Sequence, residues 1–380
     1  MASSAVASSA VASSAVASSA ALARQNATGT VPNRTPAFSS STVFQVKPGP
    51  CSAINEAISR LPESGGTVRL SAGDFACTEP VVIDKDHVRL VGAGQAQTRL
   101  VMAAQHPAPV LVVGTLQVAP RITSGFRLQY GPVREVRDIQ VSDLMVDGNL
   151  HEQPDPAKFE CYDPERKIGL SCDGDGGKYI RNNGVTIRRA RDVKIERVKA
   201  VRNLSGGMVI EKGCRELFVD QFSASQNAFD GFAGYETTAS LFQRLTLEEN
   251  HYSGVSLDLS FNGNIFDEAV IRNNGDNGIF SNQVGDNTFR NLIVEDNGNF
   301  GVYLSGVWRD GIPEPGTCDR NRFENSAFRR NHNSGIRVNH ICQDIVLQDV
   351  TIQAGREGLD CLSLYPGALV KSVGHYTCTP

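Results

Sequence analysis

The sequence is short of several things, and each shortage removes a class of protein. It contains one tryptophan, and aromatic residues make up 7% of its 380 residues. No apolar run approaches the roughly 18 residues that a membrane-spanning helix needs, so a helical span is excluded. There is no basic surplus: 37 Lys and Arg face 41 Asp and Glu for a net charge of −4, which removes the electrostatic footprint of a nucleic-acid or anionic-membrane binder. The nine cysteines, at 51, 77, 161, 172, 214, 318, 342, 361 and 378, include no Cys-x-x-Cys pair, against zinc-ribbon and thioredoxin-type readings. An odd number leaves one thiol over after any pairing. Cys161 with Cys172, and Cys318 with Cys342, would each staple a loop. His251, His332 and His340 stand too far apart in phase for a zinc cluster, and no metal-ligand set is expected. The run Asp173-Gly174-Asp175-Gly176-Gly177 offers oxygen ligands for Ca²⁺, but it lacks the full calcium-loop pattern and reads more readily as a plain acidic turn.

Residues 1–40 differ from the rest. Positions 2–20 repeat Ala-Ser-Ser-Ala-Val, whose small side chains bury too little surface to offset the entropy of ordering. Ala21-Leu22-Ala23 has the form of a signal-peptide cleavage site, although no Lys or Arg precedes Arg24 and half of the apolar stretch is serine. A secreted or cell-surface location is the expectation. Asn26, Asn33 and Asn203 begin glycosylation sequons.

What is plentiful is glycine, and it is periodic. Gly184, Gly207, Gly231, Gly254, Gly278, Gly301, Gly335 and Gly358 each start a short apolar-alternating run, at intervals of 23, 24, 23, 24, 23, 34 and 23 residues. Asn203, Asn227, Asn250, Asn274, Asn297 and Asn331 stand four residues before six of them. The runs within each period are too short and too rich in turn residues for helices. An all-β, right-handed parallel β-helix is therefore predicted for 41–380 as one domain, each period one coil, with the asparagines forming a ladder and the glycines bending the corner. The 34-residue interval keeps its phase on both sides, so 307–320 projects as a loop, as does the polar stretch 149–182. Ala53–Leu61 places apolar residues at helical spacing and predicts an N-terminal capping helix.

The string Gly65-Gly66-Thr67-Val68-Arg69-Leu70-Ser71-Ala72-Gly73 resembles the opening coil of the pectate-lyase-like β-helix superfamily. The repeats, notably Asn227-Ala228-Phe229-Asp230-Gly231-Phe232, resemble the catalytic module of mannuronan C5-epimerases. That resemblance implies a polysaccharide-directed activity. It transfers no catalytic residue, because the epimerase Asp-Pro-His string is replaced here by Val209-Ile210-Glu211.

Strand side chains alternate between core and exterior. Positions one and three after each glycine are mostly apolar and point inward, so positions two and four form an outward strip. Position four reads Arg188, Glu211, Tyr235, Asp258, Asn282, Ser305, Asn339 and Leu362. Position two reads Thr186, Val209, Ala233, Ser256, Phe280, Tyr303, Arg337 and Asp360. Such a strip suits a linear acidic polysaccharide; the same mix also fits a plain solvated face. Two chemistries use it. In C5-proton abstraction by an epimerase or lyase, Arg188 or Arg337 neutralises a uronate, Tyr235 is acid or base, and Lys212 or His340 assists. In glycoside hydrolysis, Glu211 and Asp258 flank the scissile bond. Phe280, Tyr303, Asn282, Asn339, His340 and Arg337 would bind substrate. A non-catalytic glycan-binding or adhesive β-helix is the third reading. No cofactor is expected beyond the calcium candidate.

Overall fold

The computed structural model describes residues 41–116, 121–124, 127–130, 134–172, 179–355 and 360–379, with only the backbone at 121–130. Coils built mostly of three- and four-residue strands, with longer strands such as Val136–Asp147 and Ala190–Val201 among them, stack so that coil strands pair in parallel with their counterparts above and below. Phe232–Tyr235, for example, lies between Met208–Glu211 and Val255–Asp258. The strands after the coil glycines form a ten-stranded sheet running from Val81–Ile83 to Leu362–Leu364. The remaining strands form the other sides, as in the series Leu241–Gln243, Ile265–Asp267, Thr288–Arg290 and Arg322–Glu324.

Equal coil length brings like residues together. Phe242, Phe266, Phe289 and Phe323 are buried and stacked at centroid distances of 4.9, 5.3 and 4.9 Å. At the turn, Asn203 donates to Asn227 at 2.7 Å, Asn227 to Asn250 at 2.8 Å, and Asn250 to Asn274, Asn274 to Asn297 and Asn297 to Asn331 at 3.0 Å each. Asn203 is fully buried in this file, where the folded coil has no room for an N-linked glycan. A second file, Asn264, Asn287 and Asn321, runs along another corner and escaped the sequence reading.

The coil glycines act differently from expectation. None of the seven from Gly184 to Gly335 has a positive φ. The left-handed bend falls instead on the residue before each ladder asparagine: Arg202, Gln226, Glu249, Asn273, Asp296 and Arg330, with φ between 51° and 58°. Glycine is needed for space. A Cβ at Gly254 would lie 2.2 Å from Ile271 Cγ2 and 2.9 Å from Asn274 Nδ2, so the ladder itself excludes a side chain. The last coil is also out of the expected phase. Ile336 pairs with Leu362 and Arg337 with Ser363, so Leu362 holds position one and Ser363, not Asp360, holds position two. Cys361 takes the place of the coil glycine, accepting the bond from the Ile336 amide.

The helix Ser52–Ser59 buries Ile54, Ala57 and Ile58 and docks on the first strand of the ten-stranded sheet, where Asn55 bonds both Pro80 O and the Val82 amide. Both predicted loops are insertions. The first holds a small antiparallel sheet of Cys161–Asp163, Ile168–Leu170 and Ile180–Arg181, and the second a hairpin of Trp308–Arg309 with Ile312–Pro313. Disulfides join Cys161 to Cys172 and Cys318 to Cys342 as anticipated, and also Cys51 to Cys77 and Cys361 to Cys378. Cys214 is the thiol left over; burial pushes it up to about 12, which makes it a poor nucleophile.

Candidate active groove

The outward strip exists in the register expected of it. Arg188 pairs with Glu211, and Tyr235 with Asp258, on neighbouring strands; Ser256, Phe280, Tyr303 and Arg337 follow one another at position two. Inward positions explain two residues that look out of place. Gly234 leaves room for the Phe261 ring, since a Cβ there would meet it at 2.4 Å, and Ser281 is buried beneath the strip.

The upper end is a titratable cluster around Tyr235. Arg188 is 2% exposed and its Nε lies 2.8 Å from Glu211 Oε1, so it is committed to that carboxylate. Asp258 accepts from the Leu259 amide at 2.7 Å and from Asn282 Nδ2 at 3.2 Å; burial raises its pKa against those bonds. Burial, then the charge of Asp230, raises the Tyr235 pKa above its ordinary value, which keeps the hydroxyl protonated. Asp230 was missed by alternation because it sits in the turn just before Gly231. It is buried, it accepts from the Ser253 amide at 2.9 Å, and desolvation pushes it up to about 7. Among the described residues neither Asp230 nor Asp258 forms an ion pair.

A second aromatic edge flanks this cluster and was also unread. Phe229 and Tyr252, two residues before successive coil glycines, lie 4.4 Å apart between centroids, and the Arg181 guanidinium stands 5.1 Å over the Phe229 ring. Arg181 is itself paired with Glu160, and Ser205 Oγ donates to the same carboxylate at 3.4 Å, which ties the first loop to the groove edge.

The lower end is a platform. Phe280 and Tyr303 stack at 5.7 Å with ring planes 10° apart. Asn339 Nδ2 donates to Tyr303 Oη at 2.7 Å, and Arg337 donates to Asn339 Oδ1 at 3.0 Å and to Ser363 Oγ. Among the described residues Arg337 therefore has neutral partners only.

Three expected site residues are placed elsewhere or otherwise occupied. His340 is fully buried, with Nε2 2.7 Å from Val307 O and Nδ1 3.6 Å from Cys318 Sγ, so it does not line the groove; the strand ends at Val338 and alternation stops there. Lys212 lies beyond the strand end at Glu211, in a left-handed bend with φ 68°, and is already partnered. Arg188 is on the strip but buried and paired, so it is not a free cation for a substrate carboxylate. At position two, Thr186, Val209 and Ala233 are buried, so on the Val209 and Ala233 rungs position four alone, Glu211 and Tyr235, is partly exposed. The calcium candidate at 173–177, Gly358 and Leu359 lie outside the described residues.

Stacked parallel coils with a lateral polar and aromatic groove define a right-handed parallel β-helix. The chain belongs to the right-handed β-helix family: the family model described as right handed beta helix region matches residues 176–308 and 236–371, together more than half of the sequence. Among solved structures, it is similar to the mannuronan C-5 epimerase AlgE6 A-module of Azotobacter vinelandii, with 18% identity, a TM-score of 0.64, and coverage of 87% of this chain and 83% of that one. It is also similar to a polygalacturonase from Erwinia carotovora ssp. carotovora, with 11% identity, a TM-score of 0.56, and coverage of 93% and 100%. The Dettilon tailspike protein gives 13% identity and a TM-score of 0.56 over 86% of this chain and 58% of that one. At these identities the likeness is one of fold. No curated protein matches the sequence.

Proposed function

We propose that the protein is an extracytoplasmic polysaccharide-processing enzyme that hydrolyses glycosidic bonds in a linear acidic polymer. The carrying observation is the file Glu211, Tyr235, Asp258 at position four of consecutive rungs: an ion-paired carboxylate, a protonated hydroxyl and a carboxyl with a raised pKa. Glu211 and Asp258 stand two rungs apart, about 9.6 Å between backbones from the strand spacing. That is close to the upper end of the roughly 6.5–9.5 Å carboxyl separation of an inverting hydrolase. In this reading Asp258 protonates the leaving oxygen, Glu211 with Arg188 beside it activates water, and the Tyr235 hydroxyl donates to the sugar between them. Asp230 keeps the pocket less negative below about pH 7.

C5-proton abstraction fits less well. It needs a cation to neutralise the uronate and a base in reach. Arg188 and Arg181 are each spent on a glutamate, and the Tyr235 pKa moves the wrong way for a base. Arg337 remains for an anionic group further down the polymer, with Phe280 and Tyr303 as a stacking platform. Four disulfides support an oxidising, extracytoplasmic setting.

A panel of purified acidic polysaccharides tests the proposal. New reducing ends without the ultraviolet absorbance of an unsaturated uronate support it. That absorbance would mark a lyase, deuterium uptake at C5 without cleavage an epimerase, and binding without product an adhesin; each of these overturns it.

A further inference from the structure

At the base of the second loop, buried beneath the surface, three metal-ligating side chains converge: Cys318, His340 and Cys342 are all fully buried, and their ligand atoms lie within 4.8 Å of one another. With the disulfide closed, both sulfurs are consumed, and nothing there calls for a metal. The histidine shows that the cluster is more than a staple. Its Nε2 faces the Val307 carbonyl at 2.7 Å, and a carbonyl only accepts, so the ring proton is assigned to Nε2. Nδ1 is then a bare lone pair. Its one polar neighbour within hydrogen-bonding range among the described residues is Cys318 Sγ at 3.6 Å, which in a disulfide carries no hydrogen. A fully buried acceptor is thus aimed at a sulfur that cannot satisfy it, an arrangement that ordinarily calls for a partner.

A tetrahedral zinc ion supplies one. Zinc–sulfur and zinc–nitrogen bonds of about 2.3 and 2.0–2.1 Å give a nitrogen–sulfur edge of roughly 3.6 Å, the separation already present between His340 Nδ1 and Cys318 Sγ. The Val307 carbonyl on the far nitrogen is the outer contact that fixes the tautomer and ring orientation of a metal-bound histidine. The Cys318 and Cys342 backbones are 5.1 Å apart between Cα atoms, and opening the sulfurs to an edge of about 3.8 Å requires side-chain rotation rather than chain movement.

We propose that reduction of the Cys318–Cys342 disulfide converts this cluster into a buried zinc site with Cys318, Cys342 and His340 as protein ligands. A dithiol reductant delivers two electrons and two protons, breaking the sulfur–sulfur bond and becoming a disulfide itself. Zn²⁺ then displaces the two thiol protons and takes the Nδ1 lone pair. The site is independent of the groove chemistry and stands or falls without it.

The test uses the full chain after dithiol treatment and removal of excess reductant, with Co²⁺ as the spectroscopic probe and Zn²⁺ as competitor. Circular dichroism confirms that the fold persists. The reduced protein is expected to bind one Co²⁺ with tetrahedral d–d bands and thiolate-to-cobalt charge transfer, displaced by Zn²⁺, whereas the untreated protein binds none. His340→Ala and Cys342→Ser should each abolish the tetrahedral spectrum, while Cys214→Ser and a Cys361→Ser, Cys378→Ser double variant should keep it. No uptake by reduced folded protein, or a spectrum unchanged in His340→Ala, overturns the proposal.

Discussion

The groove face and the other sides of the coil differ in how much of their charge they neutralise. On the other sides, outward acids are matched by arginines one coil away: Arg272 bonds Glu248 at 2.9 Å, Arg290 bonds Asp267 at 2.9 Å, Arg329 bonds Glu295 at 2.9 Å and Arg320 bonds Asp286 at 2.6 Å. On the groove face, Asp230 and Asp258 are held by amides, Arg337 by neutral groups, and two aromatic pairs lie open. A solvated face can neutralise itself along the axis. Glu211, paired with Arg188 across one coil, follows the pattern of the other sides, but Asp230 and Asp258 give up that stabilisation and are carboxyls whose protonation answers to burial. The contrast is what favours reading the strip as a groove over reading it as plain surface.

The largest effect that would sharpen the contrast is catalytic. Asp258→Asn removes the assigned acid and should lower turnover by about 10²–10⁴-fold. Retained far-ultraviolet circular dichroism separates this from unfolding, and near-native turnover would remove Asp258 from its role.

Next comes a stability effect that belongs to the shared scaffold. Phe266→Ala opens a cavity in the stacked column and should destabilise by about 3–5 kcal/mol in denaturant titration. Asn250→Ala removes the acceptor of the buried Asn227 amide groups and a donor to the Ala224 carbonyl, and should cost about 1–3 kcal/mol for each group left unsatisfied. Neither prediction depends on the groove.

A subtler effect concerns pH. Asp230 is raised from an ordinary carboxylate value to about 7, so between about pH 4 and 7 the folded chain holds a proton that the unfolded chain has released. Stability from this group is therefore present at low pH and lost as pH rises through about 7. Asp230→Asn should flatten stability across that window, and an unaltered profile would remove the assignment. Smallest is Arg337→Ala, expected to raise KM about tenfold for an acidic oligosaccharide, with kcat unchanged, through loss of one charged hydrogen-bonding group.

Much of this was legible in the sequence, for a physical reason. In a solenoid a fixed period turns residue spacing into contact, so Asn227, Asn250 and Asn274 could be placed in one file from their numbers alone. Strand alternation likewise found Glu211, Tyr235, Asp258, Phe280 and Tyr303. Alternation has no authority in turns. Asp230, Phe229 and Tyr252 lie before the strands and His340 after one, and there the rule missed three residues of the groove and misplaced the fourth. The final coil slipped because Cys361 replaces glycine, which a search for glycine cannot see. The left-handed bends were misassigned because spacing reveals where a glycine is required but not whether φ or space requires it.

The contrast between faces is tested most directly by two matched substitutions, Glu211→Gln in the groove and Glu248→Gln in an ion pair on another side, assayed for turnover on whichever polymer the wild type cleaves. Removal of the assigned base predicts a loss of about 10²-fold or more for the first and none for the second, turnover being compared on folded protein because the first also leaves the buried Arg188 without its counter-ion and lowers the unfolding temperature. Equal turnover in the two variants would contradict the account.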